Sequence, residues 1–240
     1  MTAADSSIRE VALEDFAAWR AEGPPGDAVH IKGFCSGIGT YYDEDAITFV
    51  AKGGFTLVVW DGDTLEETGF TRLLPQLLSS HPTLRVAAFR ISSHLESFQK
   101  SWQKVAASFP GRFVVVPVEL QAPDFAAVRK FFPDVTWAQI KEMPERRLNY
   151  VVLGSLAVQV TGAKNVMALG GGYVALKEAE LLDGQGVLWI VFALSRNEKQ
   201  EEFTTLMDWA TKSTYAKLET GKDPHEAFAF ADTALKPAPS

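Results

Sequence analysis

The sequence lacks the features that disulfide-bonded, membrane-spanning and nucleic-acid-binding proteins need. Its single cysteine, Cys35, has no partner for a disulfide within the chain, which suits a reducing compartment. No apolar run approaches the ~20 residues of a membrane helix, and residues 1–8 have neither the basic start nor the apolar stretch of a signal peptide. The net charge of −7 argues against a polyanionic partner. We therefore expect a cytoplasmic protein that binds neither membranes nor nucleic acids.

Signals for metals and organic cofactors are also scarce. The four histidines do not have the spacing of metal ligands. The segment Cys35–Gly39 contains two glycines but not the full G-x-G-x-x-G pattern of dinucleotide-binding folds. We expect neither a bound metal nor a cofactor.

What the sequence does contain is an alternation of short apolar runs and helix-like segments. The apolar runs predict strands at Val29–Cys35, Phe55–Trp60, Leu84–Phe89, Arg112–Leu120, Val166–Leu169 and Val187–Leu194. Helical spacing predicts helices at Tyr41–Lys52, Leu65–Ser79, His94–Ser108, from Glu145 to about Val160, and at Glu201–Leu218. Between residues 121 and 150, prolines divide the chain, and two short helices are expected there, at Asp124–Phe132 and Trp137–Met143.

Strands that alternate with helices predict a parallel sheet with right-handed crossovers. We expect a Rossmann-like, doubly wound α/β fold with a mostly parallel sheet and helices on both faces. Residues 27–235 are expected to form a single domain. Residues 1–26 would precede it as an extension, and residues 236–240 would follow as a flexible tail.

The segment from Asn165 to Glu178 carries the strongest functional signal. A short apolar run stops at Gly170, Gly171 and Gly172, and a helix-like pattern follows at once. Glycines at a strand-to-helix turn let a ligand approach the backbone, and the amides of the first helical turn favour an anion. The pattern predicts a site for a small phosphorylated ligand, either a nucleotide or a sugar phosphate, with Glu178 about one and a half turns into the helix.

Three segments, taken together, resemble the SLOG superfamily, which includes the lonely-guy-type (LOG) phosphoribohydrolases. Gly33–Gly37 is similar to the family's opening strand and small-residue turn, and Ala51–Asp63 looks like its second strand and loop. Gly170–Glu178 fits the spacing of the family's PGGxGTxxE motif. This chain has Gly170, Val174 and Ala175 where the family has proline, glycine and threonine.

The resemblance implies roles for particular residues. Glu178 would act on an N-glycosidic bond together with Arg146, which lies in a Met143-Pro-Glu-Arg146 segment similar to the family's MxxR. Arg147 would assist in binding the ligand. The phosphate would be held at the glycines and Tyr173, and Ser36 and Gly37 would line the first turn.

Further ligand contacts are expected from strand ends rather than from the resemblance. Asp61 and Asp63 follow a predicted strand, and Arg90 directly follows another. The carboxyl ends of strands are where α/β proteins bind ligands. Asp-Gly-Asp is also a common turn and helix cap, so a structural role for these two carboxylates stays open.

Three functions are compatible with these observations. The first is hydrolysis of the N-glycosidic bond of a nucleoside 5′-monophosphate. The second is a SLOG-type module that binds or senses a nucleotide without catalysis, as the changes at Val174 and Ala175 favour. The third is a Rossmann-type oxidoreductase. A homodimer that pairs through Tyr150–Val160 is also considered, although this apolar stretch fits a buried core helix as well.

Overall fold

Seven parallel strands form one sheet in the computed structural model, which describes residues 8–32, 53–61, 69–120, 145–168, 173–192, 201–214 and 216–219. The strands are β1 (Ala28–Lys32), β2 (Leu57–Trp60), β3 (Arg85–Ile91), β4 (Phe113–Val118), β5 (Asn165–Ala168), β6 (Leu188–Phe192) and β7 (Ala216–Glu219). Their order across the sheet is β4-β3-β2-β1-β5-β6-β7, and every neighbouring pair is parallel.

The strands are short and almost wholly apolar because helices cover both faces of the sheet. All residues of β1, β2 and β3 are buried, including the polar residues of β1. Along β2, Val59 faces one side of the sheet and Val58 the other, so this strand contributes to two separate cores.

Six α-helices accompany the sheet in the described residues: α1 (Phe16–Ala21), α2 (Gly69–Ser80), α3 (Leu95–Ser108), α4 (Glu145–Thr161), α5 (Tyr173–Leu182) and α6 (Glu201–Lys212). The first face, the side of Val59, is covered by α1, α4, α5 and α6. The second face, the side of Val58, is covered by α2 and α3. This confirms the expected doubly wound, Rossmann-like fold.

The direction in which strands are added reverses between β1 and β5. From β1 the chain adds β2, β3 and β4 towards one edge, and then returns to place β5 on the other side of β1. Such a switch point opens a crevice at the carboxyl ends of the two central strands, where ligands bind in open α/β sheets. The candidate site lies there.

Most predicted elements are confirmed within a few residues, but the predicted end of the last helix is wrong. The helix predicted over Glu201–Leu218 ends at Lys212, and Ala216–Glu219 forms β7 beside β6. The strand predicted at Val187–Leu194 is therefore not the last strand. The predicted helices Tyr41–Lys52, Asp124–Phe132 and Trp137–Met143 lie outside the described residues.

The N-terminal segment packs against the domain. The amide of Val11 donates to the carbonyl of Val115 over 2.9 Å, and the amide of Val115 donates to the carbonyl of Arg9 over 3.1 Å. Phe16 and Trp19 of α1 are then buried in the core of the first face. Residues 9–11 thus cover the outer edge of β4.

The apolar stretch considered for dimerisation belongs to α4. Its residues from Val151 to Val158 are buried within this chain, and the apolar ones among them belong to the core of the first face. A homodimer stays a prediction. Within the described part of the chain, every helix falls short of the length and apolarity that a membrane crossing requires.

Candidate functional site

Four ionisable side chains meet on the first face of the sheet, at the carboxyl ends of β1 and β2. His30 and Lys32 are two residues apart on β1 and therefore point to the same face. Asp61 directly follows β2, and Glu178 is the sixth residue of α5. We call His30, Lys32, Asp61 and Glu178 the buried charge cluster.

Asp61 is at the centre of the hydrogen bonding. Its Oδ2 accepts a hydrogen bond from Lys32 Nζ over 2.8 Å, and its Oδ1 lies 2.8 Å from Nε2 of His30. The ammonium nitrogen of Lys32 also contacts Oε2 of Glu178. A single ammonium group thus bridges two carboxyl groups, one from β2 and one from α5.

The cluster is almost completely shielded from solvent. The side chains of His30 and Glu178 are 0% exposed, and those of Lys32 and Asp61 are 7% and 8% exposed. Taking such groups out of water is unfavourable by several kcal/mol per ion unless each finds partners. The Lys32–Asp61 ion pair and the hydrogen bonds of Asp61 offset part of this penalty, whereas Nδ1 of His30 and both oxygens of Glu178 have no hydrogen-bond partner among the described residues.

Gly154 allows α4 to pack directly over the cluster. A Cβ atom at this position would overlap Asp61 Oδ2 and Glu178 Oε1, and it would lie 2.6 Å from Glu178 Cδ. Glycine inside a helix is about 1 kcal/mol less favourable than alanine. Its presence here is explained by the close approach of the α4 backbone to the two carboxyl groups.

Burial and the neighbouring charges set the protonation of each group. Burial raises the pKa of Glu178, Lys32 acts in the opposite direction and Asp61 adds to the rise, so that the pKa is about 8. Burial also works to raise the pKa of Asp61, but Lys32 and His30 together hold it well below its ordinary value. At neutral pH, Glu178 is therefore mainly protonated while Asp61 is ionised.

The two basic groups respond in opposite ways. Burial, followed by the charge of Lys32, lowers the pKa of His30 below its ordinary value despite Asp61. Burial also tends to lower the pKa of Lys32, but Asp61 and Glu178 outweigh it and raise that pKa. The neutral imidazole therefore donates its Nε2 proton to Asp61, which as a carboxylate can only accept. The core of the cluster is a Lys32–Asp61 ion pair.

The structure brings together two of the residues predicted from the sequence, Glu178 and Asp61. Arg90 lies on the second face, where its guanidinium carbon is 4.3 Å from the ring centre of Trp60 and 4.4 Å from that of Phe98. Arg90 is therefore separated from the cluster by the sheet. As a ligand contact it stays a prediction.

The other predicted site residues cannot be placed in the cluster. Arg146 and Arg147 lie in the first turn of α4, and Tyr173 is the first residue of α5, but their side chains are outside the described part. The predicted contacts Ser36, Gly37, Asp63, Gly170, Gly171 and Gly172 also lie outside the described residues. Among the described residues, no group of three or more acidic, histidine or cysteine side chains is placed to hold a metal ion.

Sequence reasoning missed His30, Lys32 and Gly154. One signal was available, because β1 reads Ala-Val-His-Ile-Lys and places polar residues at alternate positions of a central strand. In a parallel sheet covered on both faces, such residues must be buried and paired. Nothing in the sequence identified Gly154, since its neighbours across the fold lie on other elements.

Function must be inferred from this site itself. Comparisons of the chain with protein-family models, with curated proteins and with solved structures find no match. A Rossmann-like fold hosts many unrelated activities, so the fold does not specify one. The chemistry of the cluster and its place at the switch point are the informative observations.

Proposed function

We propose that the protein binds a small phosphorylated ligand, a nucleotide or a sugar phosphate, at the carboxyl ends of β1, β2 and β5. The observation that carries this proposal is the buried charge cluster at the switch point of the sheet. Ionisable groups with strongly shifted pKa values concentrate at functional sites, and this edge is where open α/β sheets bind ligands. The first turn of α5 starts at the same edge and supplies amides suited to a phosphate.

One version of this function is hydrolysis of the N-glycosidic bond of a nucleoside 5′-monophosphate, as the LOG resemblance implies. Glu178 would act on the ribose and Arg146 would orient the ligand. Support comes from the pKa of Glu178, which at about 8 leaves the carboxyl group protonated near neutral pH. An acid whose pKa lies close to the working pH is well suited to proton transfer.

The other version is binding without catalysis. Glu178 is fully buried, Lys32 holds its Oε2, and its Oε1 faces the α4 backbone at Gly154. A carboxyl group enclosed in this way stabilises the architecture of the site without reaching a ligand. The same burial that raises its pKa therefore favours a module that binds a nucleotide and releases it unchanged.

A turnover assay separates the two versions. The purified protein is incubated with a panel of nucleoside 5′-monophosphates that includes N6-alkylated AMP, and free base and ribose 5-phosphate are followed by chromatography. If the protein is a hydrolase, Glu178→Gln will reduce base release by about 100-fold or more. Glu180→Gln is the matched control, because Glu180 lies on the same helix but is exposed and pairs with Lys177.

Binding is measured in parallel by the change in melting temperature with each nucleotide. A rise in melting temperature without base release supports the binding module. Base release that is equal in the wild type and in Glu178→Gln excludes Glu178 as the catalytic group. If no nucleotide and no sugar phosphate raises the melting temperature or is consumed, the proposed function is wrong.

A further inference from the structure

Solvent reaches the buried charge cluster through only two of its four members. The side chains of Lys32 and Asp61 are 7% and 8% exposed, whereas those of His30 and Glu178 are 0% exposed. Lys32 is the last residue of β1, and Asp61 directly follows β2. Any ligand that touches the cluster at this edge therefore meets the Lys32–Asp61 pair first.

Within the part of the chain that the structure describes, the pair has unused hydrogen-bonding capacity on both sides. The ammonium group of Lys32 carries three N–H donors; within the described residues one of them is donated to Asp61, and Nζ also contacts Glu178. Each carboxylate oxygen of Asp61 has two lone pairs, and each accepts one hydrogen bond from His30 or Lys32. Counting the described residues alone, at least one donor of Lys32 and two acceptor positions of Asp61 are left, within a pair whose charged atoms are 2.8 Å apart.

The Lys32 donor and the adjacent Asp61 acceptors fit a hydroxyl group of a ligand better than they fit a phosphate. A hydroxyl both donates and accepts, so it can bond to Lys32 and Asp61 at the same time. A phosphate dianion offers only acceptors and would be repelled by the Asp61 carboxylate. The opposite charges of Lys32 and Asp61 largely cancel, so the pair gives an anion little net attraction.

We propose that the Lys32–Asp61 pair is a subsite for a sugar hydroxyl, with Lys32 donating a hydrogen bond to the hydroxyl oxygen and Asp61 accepting a hydrogen bond from the hydroxyl group. This inference rests on the proposed function and specifies the ligand further, as a phosphorylated compound whose sugar keeps a free hydroxyl group. Lys32 and Asp61 then determine specificity for the sugar, while the phosphate is bound elsewhere on the same edge.

The decisive experiment compares ribonucleotides with deoxynucleotides on the wild-type protein. Dissociation constants are measured by calorimetry for the nucleoside 5′-monophosphates and for their 2′-deoxy and 3′-deoxy counterparts. Removing the hydroxyl that the pair binds leaves buried polar groups unpaired, so we expect one of the deoxy series to bind at least about tenfold more weakly. This comparison needs no variant and does not depend on how a substitution affects folding.

A variant then assigns the effect to the pair. Asp61→Ala removes the acceptors, and we expect its ratio of ribonucleotide to deoxynucleotide affinity to fall close to one. Asp183→Ala is the matched control, because Asp183 is exposed and accepts a hydrogen bond only from Ser213 among the described residues. Its ratio should equal that of the wild type.

The phosphate is tested separately with the unphosphorylated nucleosides. Equal affinity for ribonucleotides and both deoxy series, with phosphate still required, overturns the hydroxyl subsite and leaves the proposed function standing. Hydroxyl-dependent binding of nucleosides that phosphate does not strengthen supports the subsite and overturns the phosphorylated ligand. If no nucleoside, nucleotide or sugar phosphate binds, both proposals are wrong.

Discussion

Gly154 is where a single atom decides whether α4 can pack against the buried charge cluster. Alanine normally stabilises a helix interior by about 1 kcal/mol relative to glycine. Here a Cβ would overlap Asp61 and Glu178 and lie 2.6 Å from Glu178 Cδ. We expect Gly154→Ala to lower the free energy of unfolding by about 1–3 kcal/mol, as overpacked cores do.

Urea unfolding of the wild type and of Gly154→Ala measures the change in the free energy of unfolding. The sign of that change shows whether the position has room for a methyl group. An increase in stability of about 1 kcal/mol would show that the position has room for a methyl group. That result would contradict the inference that the α4 backbone lies too close to the two carboxyl groups for a side chain at this position. Ala157, three residues further along α4 and also buried, shows that this helix accepts a methyl group where the cluster is not in the way.

Glu178 makes the protein less stable as the pH rises, whereas most carboxyl groups make a folded protein more stable as the pH rises. Its folded-state pKa of about 8 lies above the ordinary value of 4.5. The stability it contributes is therefore fully present below about pH 4.5 and is lost as the pH rises through 8. The loss is at most about 1.4 kcal/mol per pH unit.

The contribution of Glu178 is isolated by comparison with Glu178→Gln. The pKa of His30 is lowered on folding, so His30 works in the opposite direction around pH 6.5. The free energy of unfolding is therefore measured for both proteins from pH 5 to 9, and the variant's value is subtracted. We expect the difference to fall with increasing pH. A difference that stays constant or increases contradicts a raised pKa for Glu178.

At the scale of elements, β7 shows that pairing with a neighbouring strand can override the helix preference of the residues themselves. Ala-Lys-Leu-Glu is composed of good helix formers and continues the amphipathic pattern of α6, so a helix to Leu218 was predicted. The structure instead pairs Ala216–Glu219 with β6. Strand formation depends on an available neighbour as much as on the residues themselves, and only the folded sheet reveals that neighbour.

Other elements were predictable because their apolar patterns are unambiguous. β2 and β4 are continuous apolar runs, which a sheet covered on both faces requires. The boundaries shifted by a few residues, as expected where strand ends are set by pairing. The apolar helix beginning at Glu145 was also predicted, but its packing over the cluster was not, since that depends on a single glycine.

At the scale of the whole molecule, the N-terminal segment is joined to the domain by its aromatic residues. Trp19 is 1% exposed, packs against Phe16, and lies under the guanidinium group of Arg85 at 3.7 Å. We expect Trp19→Ala to lower the free energy of unfolding by about 3–5 kcal/mol, because it leaves a large cavity in the core.

Denaturant unfolding of the full chain tests this expectation. Arg9→Ala serves as the control, because Arg9 pairs with Glu22 at the surface, where both side chains are half exposed. It should change stability little. If Trp19→Ala is as stable as this control, the segment adds nothing to the core.

The sequence by itself determined the alternation of strands and helices and the parallel sheet, and it predicted Glu178 and Asp61 as candidate site residues. These follow from local patterns, because apolar periodicity and the positions of strand ends depend on residues that are close together in the sequence. Only the tertiary structure decided the strand order, the existence of β7, and the meeting of His30 and Lys32 with the two carboxyl groups beneath Gly154. Residues more than a hundred positions apart form that cluster, and their contact depends on which strands and helices pack together.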